Sequence, residues 1–385
     1  MTAVPALDAG SHPPGRASGD LVARSLDLTA KLRQRSVLPA VLRVAQGERL
    51  AAPLVVDLDP TTACDLACPE CISADVLHTG RLAGERIVTL ADELAEAGVR
   101  AVILIGGGEP LLHRRIGDVI DVLHERGVRI GLVTNGTQID RHVDRLAAKL
   151  DWVRVSVDAA TQDTFDRFRP VRGGRSAFPR VIANLRLLAD RGCHSLGYSF
   201  LLMQRRDDAG RVVESNYGEV LAAARLAKDL GCTYVELKAA LDEHHFTINQ
   251  RAADLALVRD QVAAVRELED DSFRLLTSSN WLAVEADHDP VEPKSYHTCR
   301  ISQLRTTVTP NGVFVCPYHR GNPAGRIGDV ARTPFAQMWA QAGPGVDPSV
   351  DCRFVCARHG SNLAVEAIAA GGPVPSPVDD EDLFF

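Results

Sequence analysis

The chain has 385 residues and a formal net charge of -7, with 24% charged and 45% hydrophobic residues. That length buries one large core or two ordinary ones, and the acidic balance gives no basic field for nucleic acid. No apolar run approaches the roughly 18 residues of a membrane span, and MTAVPALDAGSHPPGRASGD lacks a signal-peptide core. A cytoplasmic chain is therefore expected, whose nine cysteines read as metal ligands and core thiols rather than disulfides.

Residues 1–50 read as a flexible or helical extension. Apolar runs then predict strands at Leu54–Leu58, Ala101–Ile105, Arg129–Val133, Trp152–Val157, Gly197–Leu202 and Tyr234–Leu237. Helical patterns lie between them. Ile87, Leu90, Ala91, Leu94 and Ala97 share one face, with Gly98 as the stop; Phe178, Ile182, Leu185 and Ala189 repeat the spacing, as do Val220, Ala223, Ala227 and Leu230. Six alternations predict parallel βα units, an α/β fold with a partial (β/α)6 barrel of the TIM type over residues 51–270. From about Gln261 the rhythm stops, and EADHDPVEPKSY reads as a linker. Residues 290–365 form a small cysteine-bearing module, with Cys299, a strand pair around Pro310-Asn311-Gly312, Cys316, Cys352 and Cys356. The acidic, Pro-rich stretch 371–385 reads as a solvated tail, docking of its terminal phenylalanines being the alternative.

The first predicted strand runs into TTACDLACPEC, which spaces Cys64, Cys68 and Cys71 as Cys-x3-Cys-x2-Cys. Three thiolates this close can hold three corners of an iron–sulfur cube and leave the fourth iron open. A structural zinc site or buried thiols are the alternatives; zinc normally takes four ligands, often in two separated pairs, so the spacing fits it poorly. Gly106-Gly107-Gly108-Glu109-Pro110 follows the second strand, Thr134-Asn135-Gly136 the third, and Ser156 and Asp158 close the fourth. All sit at the C-terminal ends of parallel strands, the edge where such sheets carry active sites. The glycines permit close approach of backbone to a ligand, Glu109 offers a carboxylate to a cation, and Asp158 suits a ribose or a helix cap.

These motifs resemble the radical S-adenosylmethionine (SAM) enzymes, with a C-terminal auxiliary-cluster module of the SPASM or twitch type, over roughly Leu54 to Cys356. The resemblance implies that Cys64, Cys68 and Cys71 ligate a [4Fe-4S] cluster whose open iron chelates SAM. It places Gly106, Gly107, Gly108, Glu109 and Pro110 at the SAM amino group, with Asn135, Ser156 and Asp158 as further cofactor contacts. It implies that Cys299, Cys316, Cys352 and Cys356 hold a second, auxiliary [4Fe-4S] cluster, as in the shortened twitch module. An external donor of the flavodoxin or ferredoxin type would supply electrons, and a 5′-deoxyadenosyl radical would remove a substrate hydrogen atom.

A second cluster with four protein ligands has no open iron and suits electron relay, so oxidation of an alcohol to a ketone in a small sugar-like or aminocyclitol-like molecule is the expected outcome. Epimerisation needs a thiol donor, and the unassigned Cys193 and Cys232 precede strands at the opposite rim. Maturation of a ribosomal peptide is the other alternative. Glu236 and Lys238 share a strand face and are the candidate catalytic pair, a buried ion pair being the structural reading. Arg169 and Arg172 are candidates to grip an anion; His244 and His245 read as loop surface, and His319 either lines the auxiliary cluster or is a spectator.

Overall fold

A computed structural model describes residues 26, 28–241, 250, 255–285, 294–343, 345–379 and 382–384. His244 and His245 fall outside them, as does most of the expected linker. The expected strands form at β1 (Val55–Leu58), β2 (Ala101–Leu104), β3 (Arg129–Thr134), β4 (Trp152–Ser156) and β5 (Leu196–Leu202). After a hairpin of β6 (Gln204–Arg206) and β7 (Val212–Ser215) comes the sixth expected strand, β8 (Tyr234–Ala239). The chain continues with β9 (Arg274–Thr277), β10 (Arg305–Thr309), β11 (Gly312–Phe314) and β12 (Arg326–Gly328).

One ten-stranded sheet runs β12-β11-β10-β1-β2-β3-β4-β5-β8-β9, parallel from β10 to β9. Successive side chains alternate between its faces. Val56, Leu58, Val102, Leu104, Ile130, Leu132, Val153 and Val155 pack outward against Ile87, Leu90 and Leu94 of the helix Gly84–Ala97 and against Val181, Leu185 and Leu188 of the helix Phe178–Asp190. Gly98 ends the first of these helices at φ 96°, as its position predicts.

One feature departs from the sequence reading: the rhythm does not stop at Gln261, because the helix Ala256–Arg266 buries Val258, Val262 and Val265, and β9 joins β8 in parallel. The C-terminal module extends the same sheet, with β10 paired in parallel to β1 and carrying β11 and β12.

The inner face is closed below by the two ends of the chain. Val55, Ala101 and Ile103 pack with Val37, Leu38, Val41 and Val44 and with Leu383 and Phe384. Phe384 meets Trp152 edge-on at 5.4 Å. The buried Lys31 ammonium lies 2.8 Å from Asp382 and donates to the Phe384 carbonyl at 2.8 Å. The tail is thus docked at residues 382–384 rather than solvated throughout. Among the described residues no helix is long and apolar enough to cross a membrane.

Candidate active site

The C-terminal strand ends meet at a cavity of about 460 Å³, within the range of small-molecule sites. Cys64, Cys68 and Cys71 line it, together with Gly106, Gly107, Gly108, Glu109, Asn135, Ser156, Asp158 and Lys238. Pro110 opens the short turn behind Glu109 and is buried.

Glu109 is fully committed. One carboxylate oxygen accepts from the Thr134 hydroxyl at 2.7 Å and the Leu111 N–H at 3.0 Å, the other from the Asn135 N–H at 2.7 Å. Burial nevertheless pushes its carboxyl up to about 7, so a cation at this edge would restore the charged form. Asn135 in turn donates to Cys64 Sγ at 3.8 Å and to Asp65 at 2.8 Å. Asp65 also accepts from Thr137 at 2.6 Å and Gln138 at 2.9 Å, which fixes the cysteine loop against β3. The glycines press that loop from the other side: a Cβ on Gly108 would stand 2.2 Å from the Ala63 carbonyl oxygen.

Asp158 has φ 61°, uncommon for a residue with a side chain. It accepts from the Leu201 N–H at 2.7 Å and from Arg169 Nε at 2.6 Å. It is no helix cap, since Thr161 caps the helix Gln162–Phe168. Arg169 lines the cavity between Asp158 and the cysteine loop; Arg172 is exposed and does not line it.

Glu236 and Lys238 do pair. Ser156, Ser199 and Glu236 are register partners across β4, β5 and β8. Glu236 Oε2 stands 2.7 Å from Lys238 Nζ and 3.1 Å from Arg154 Nε. Burial alone would raise the Glu236 carboxyl, but the two cations outweigh it and hold it below its ordinary value. Burial lowers the Lys238 ammonium, opposed by Glu236.

Four further thiols, on Cys299, Cys316, Cys352 and Cys356, line a second, narrow cavity with Tyr296, Val315, His319 and Phe354. Burial pushes the Cys316 thiol up to about 12 and Cys356 to about 11, so buried thiolates here need a cationic partner. Among the described residues no three His, Cys, Asp or Glu side chains converge closely enough for a single metal ion. Tyr318 lines both cavities, and Pro317 and Arg320 reach the first. Cys193 and Cys232 are buried core residues, as expected.

Two buried carboxylates next to the site escaped the sequence reading. Asp57 accepts from Arg305 at 2.7 Å and Arg358 at 3.1 Å, tying β1 to the module. Asp59, whose carboxyl burial raises to about 6, accepts from the Gly107 N–H at 2.7 Å and faces Arg320 at 3.9 Å. The alternating carboxylates of VVDLDP were the available signal.

Residues 58–215 match the model of the radical SAM superfamily. The chain is 30% identical over 195 residues to a mycofactocin maturase of Mycobacterium tuberculosis, covering 49% of each chain. It is 29% identical over 184 residues to an AdoMet-dependent heme synthase of Methanosarcina barkeri, covering 47% of this chain and 48% of that one. The matches span about half the length of these relatives. In fold it is similar to Streptococcus suis SuiB bound to the precursor peptide SuiA, with a TM-score of 0.60 at 14% identity over 83% of this chain and 71% of that one. With three thiols beside a glycine-lined cavity at the strand ends, residues 58–215 are a radical SAM domain, of a family that uses a [4Fe-4S] cluster and SAM.

Proposed function

We propose that this radical SAM enzyme oxidises a secondary alcohol of a small polar molecule, of the sugar or aminocyclitol class, to a ketone. The observation that carries the reading is Lys238, which lines the same cavity as Cys64, Cys68 and Cys71 and stands 2.7 Å from the buried Glu236 carboxylate. When bound, the reduced cluster and SAM supply a 5′-deoxyadenosyl radical that takes a hydrogen atom from the substrate carbon, and the auxiliary cluster supplies an acceptor for the second electron.

The chain's own residues do the rest. Cys64, Cys68 and Cys71 would hold the first cluster, and Cys299, Cys316, Cys352 and Cys356 the second. Glu109 would receive the SAM ammonium, with the glycine edge of Gly106–Gly108 beside it. Asn135 would steady Cys64, and Ser156 and Asp158 would meet the ribose. Lys238, which lines the cavity, would accept the hydroxyl proton at Nζ as general base when it is deprotonated. Glu236, held by Arg154, keeps the amine turned into the cavity and stabilises the ammonium that results. A cavity of about 460 Å³ must accommodate SAM as well, so only a small reacting group fits beside it. Domain limits of 51–270 for the barrel and 290–365 for the module are proposed with β9 added to the barrel.

A second reading, peptide maturation, is favoured by the mycofactocin maturase and by the precursor peptide bound to SuiB. One experiment separates the two and tests the first. Anaerobically reconstituted protein with SAM and reductant is offered polyol, aminocyclitol and peptide panels in heavy water. Stoichiometric 5′-deoxyadenosine with a ketone product is expected. A substrate that gains solvent deuterium at carbon, or a crosslinked peptide, would refute dehydrogenation.

A further inference from the structure

The second cavity contains a histidine that the four-thiol assignment leaves without a role. His319 ends the short 3-10 turn Pro317–His319 that follows Cys316, and it is 1% exposed. Its Nε2 lies 3.5 Å from Cys352 Sγ. Its Nδ1 lies 3.2 Å from Asn322 Nδ2. The Asn322 amide is itself oriented, because its oxygen accepts from the Ala324 N–H at 3.0 Å. An amide nitrogen only donates, so Nδ1 must accept and the proton of the neutral ring sits on Nε2. That proton points at the thiol sulfur.

The surroundings hold the ring in this pose. Phe354 meets it edge-on with ring centres 5.6 Å apart. Gly325 leaves the room it needs, since a Cβ there would stand 2.3 Å from His319 Cβ. A second thiol has a matching donor: Asn362 Nδ2 lies 3.7 Å from Cys299 Sγ, with its oxygen fixed by the Ile301 N–H at 3.1 Å.

We propose that His319 is a neutral hydrogen-bond donor to the Cys352 thiolate, its tautomer set by Asn322, and that it raises the reduction potential of the auxiliary cluster. N–H donors to a ligating sulfur withdraw charge and favour the reduced, more negative cluster. His319 is thus a positioning and tuning residue, not a ligand. The effect makes the cluster a better acceptor for an electron arriving from the substrate side, where Tyr318 lines both cavities. The inference rests on the assignment of Cys299, Cys316, Cys352 and Cys356 to this cluster.

The test removes the first cluster by Cys64→Ala, Cys68→Ala and Cys71→Ala, so that only the auxiliary one is observed. Redox titration followed by electron paramagnetic resonance is compared for this protein and for the same protein with His319→Leu, His319→Gln or Asn322→Leu. At the potential that half-reduces the parent, His319→Leu should lower the reduced-to-oxidised ratio about tenfold, equivalent to about 59 mV for one electron. His319→Gln retains an amide donor and should fall by less, as should Asn322→Leu, which only frees the tautomer. An unchanged ratio in fully iron-loaded His319→Leu overturns the proposal. Loss of the iron in that variant also overturns it, by making His319 a ligand or a support. A parent protein that binds no iron removes the four-thiol assignment instead, which separates that failure from this one.

Discussion

Gly108→Ala is a substitution of one methyl group whose effect follows from the packing of two loops. The new Cβ would lie 2.2 Å from the Ala63 carbonyl oxygen and 2.5 Å from the Thr62 carbonyl carbon, both backbone atoms that no rotamer change can move aside. The shortfall against a 3.4 Å contact is about 1.2 Å. Relief requires the cysteine loop to move away, which breaks the 2.8 Å hydrogen bond from the Glu109 N–H to the Ala63 carbonyl. Overpacking costs about 1–3 kcal/mol and the hydrogen bond about 1 kcal/mol, so the local loss is about 2–4 kcal/mol. That leaves the large sheet folded. The displacement falls between Cys64 and Glu109, where an error near 1 Å costs on the order of 100-fold in rate. Anaerobic reconstitution followed by iron analysis and chromatographic assay of 5′-deoxyadenosine is the measurement. Gly218→Ala, which meets open space, is the control. Wild-type 5′-deoxyadenosine formation by Gly108→Ala would refute the reasoning.

Three further outcomes are expected. Lys238→Met should still cleave SAM but lose ketone formation by roughly 100-fold or more, with Lys238→Arg no better because it stays charged; equal loss of both products would remove the base role. SAM affinity should fall about tenfold from pH 8 to pH 6, because the Glu109 carboxyl titrates at about 7 in the free protein and only its ionised form attracts the ammonium. A flat calorimetric affinity over that range would contradict the contact. Phe384→Ala should cost about 3–5 kcal/mol, as for other buried aromatics, read as a lowered midpoint of chemical unfolding; a cost below about 1 kcal/mol would mean the tail does not close the inner face.

What was legible in the sequence follows the range of the interactions involved. β1 to β5 and β8 were readable within one or two residues because each is a short apolar run between turn signals, and the helices between them carry their own period. Cys64, Cys68 and Cys71 after β1 and Glu109 after β2 could be placed at the strand ends because each lies in a short local motif that follows an apolar run. β9 was missed because RLLT is four residues after a polar turn, and its strand character comes from pairing with β8. The union of β10 with β1 joins residues about 250 positions apart, as Val55 and Arg305, and no local pattern encodes such a pairing. Docking of Leu383 and Phe384 depends on a groove built by β1, β2 and the helix Leu38–Ala45. Arg154 became visible as part of the site only once Glu236 stood opposite it.

The pairing of β10 with β1 also decides how this enzyme can be dissected. A barrel expressed without residues 294–369 would present the whole edge of Val55–Leu58, an apolar strand with unpaired N–H and carbonyl groups, to other molecules. Such an edge is a template for strand addition and aggregation. It would also leave Asp57 buried without Arg305 and Arg358. Truncation mutants that precipitate would therefore report on a lost sheet neighbour, and the auxiliary thiols are better removed one at a time within the intact 385-residue chain.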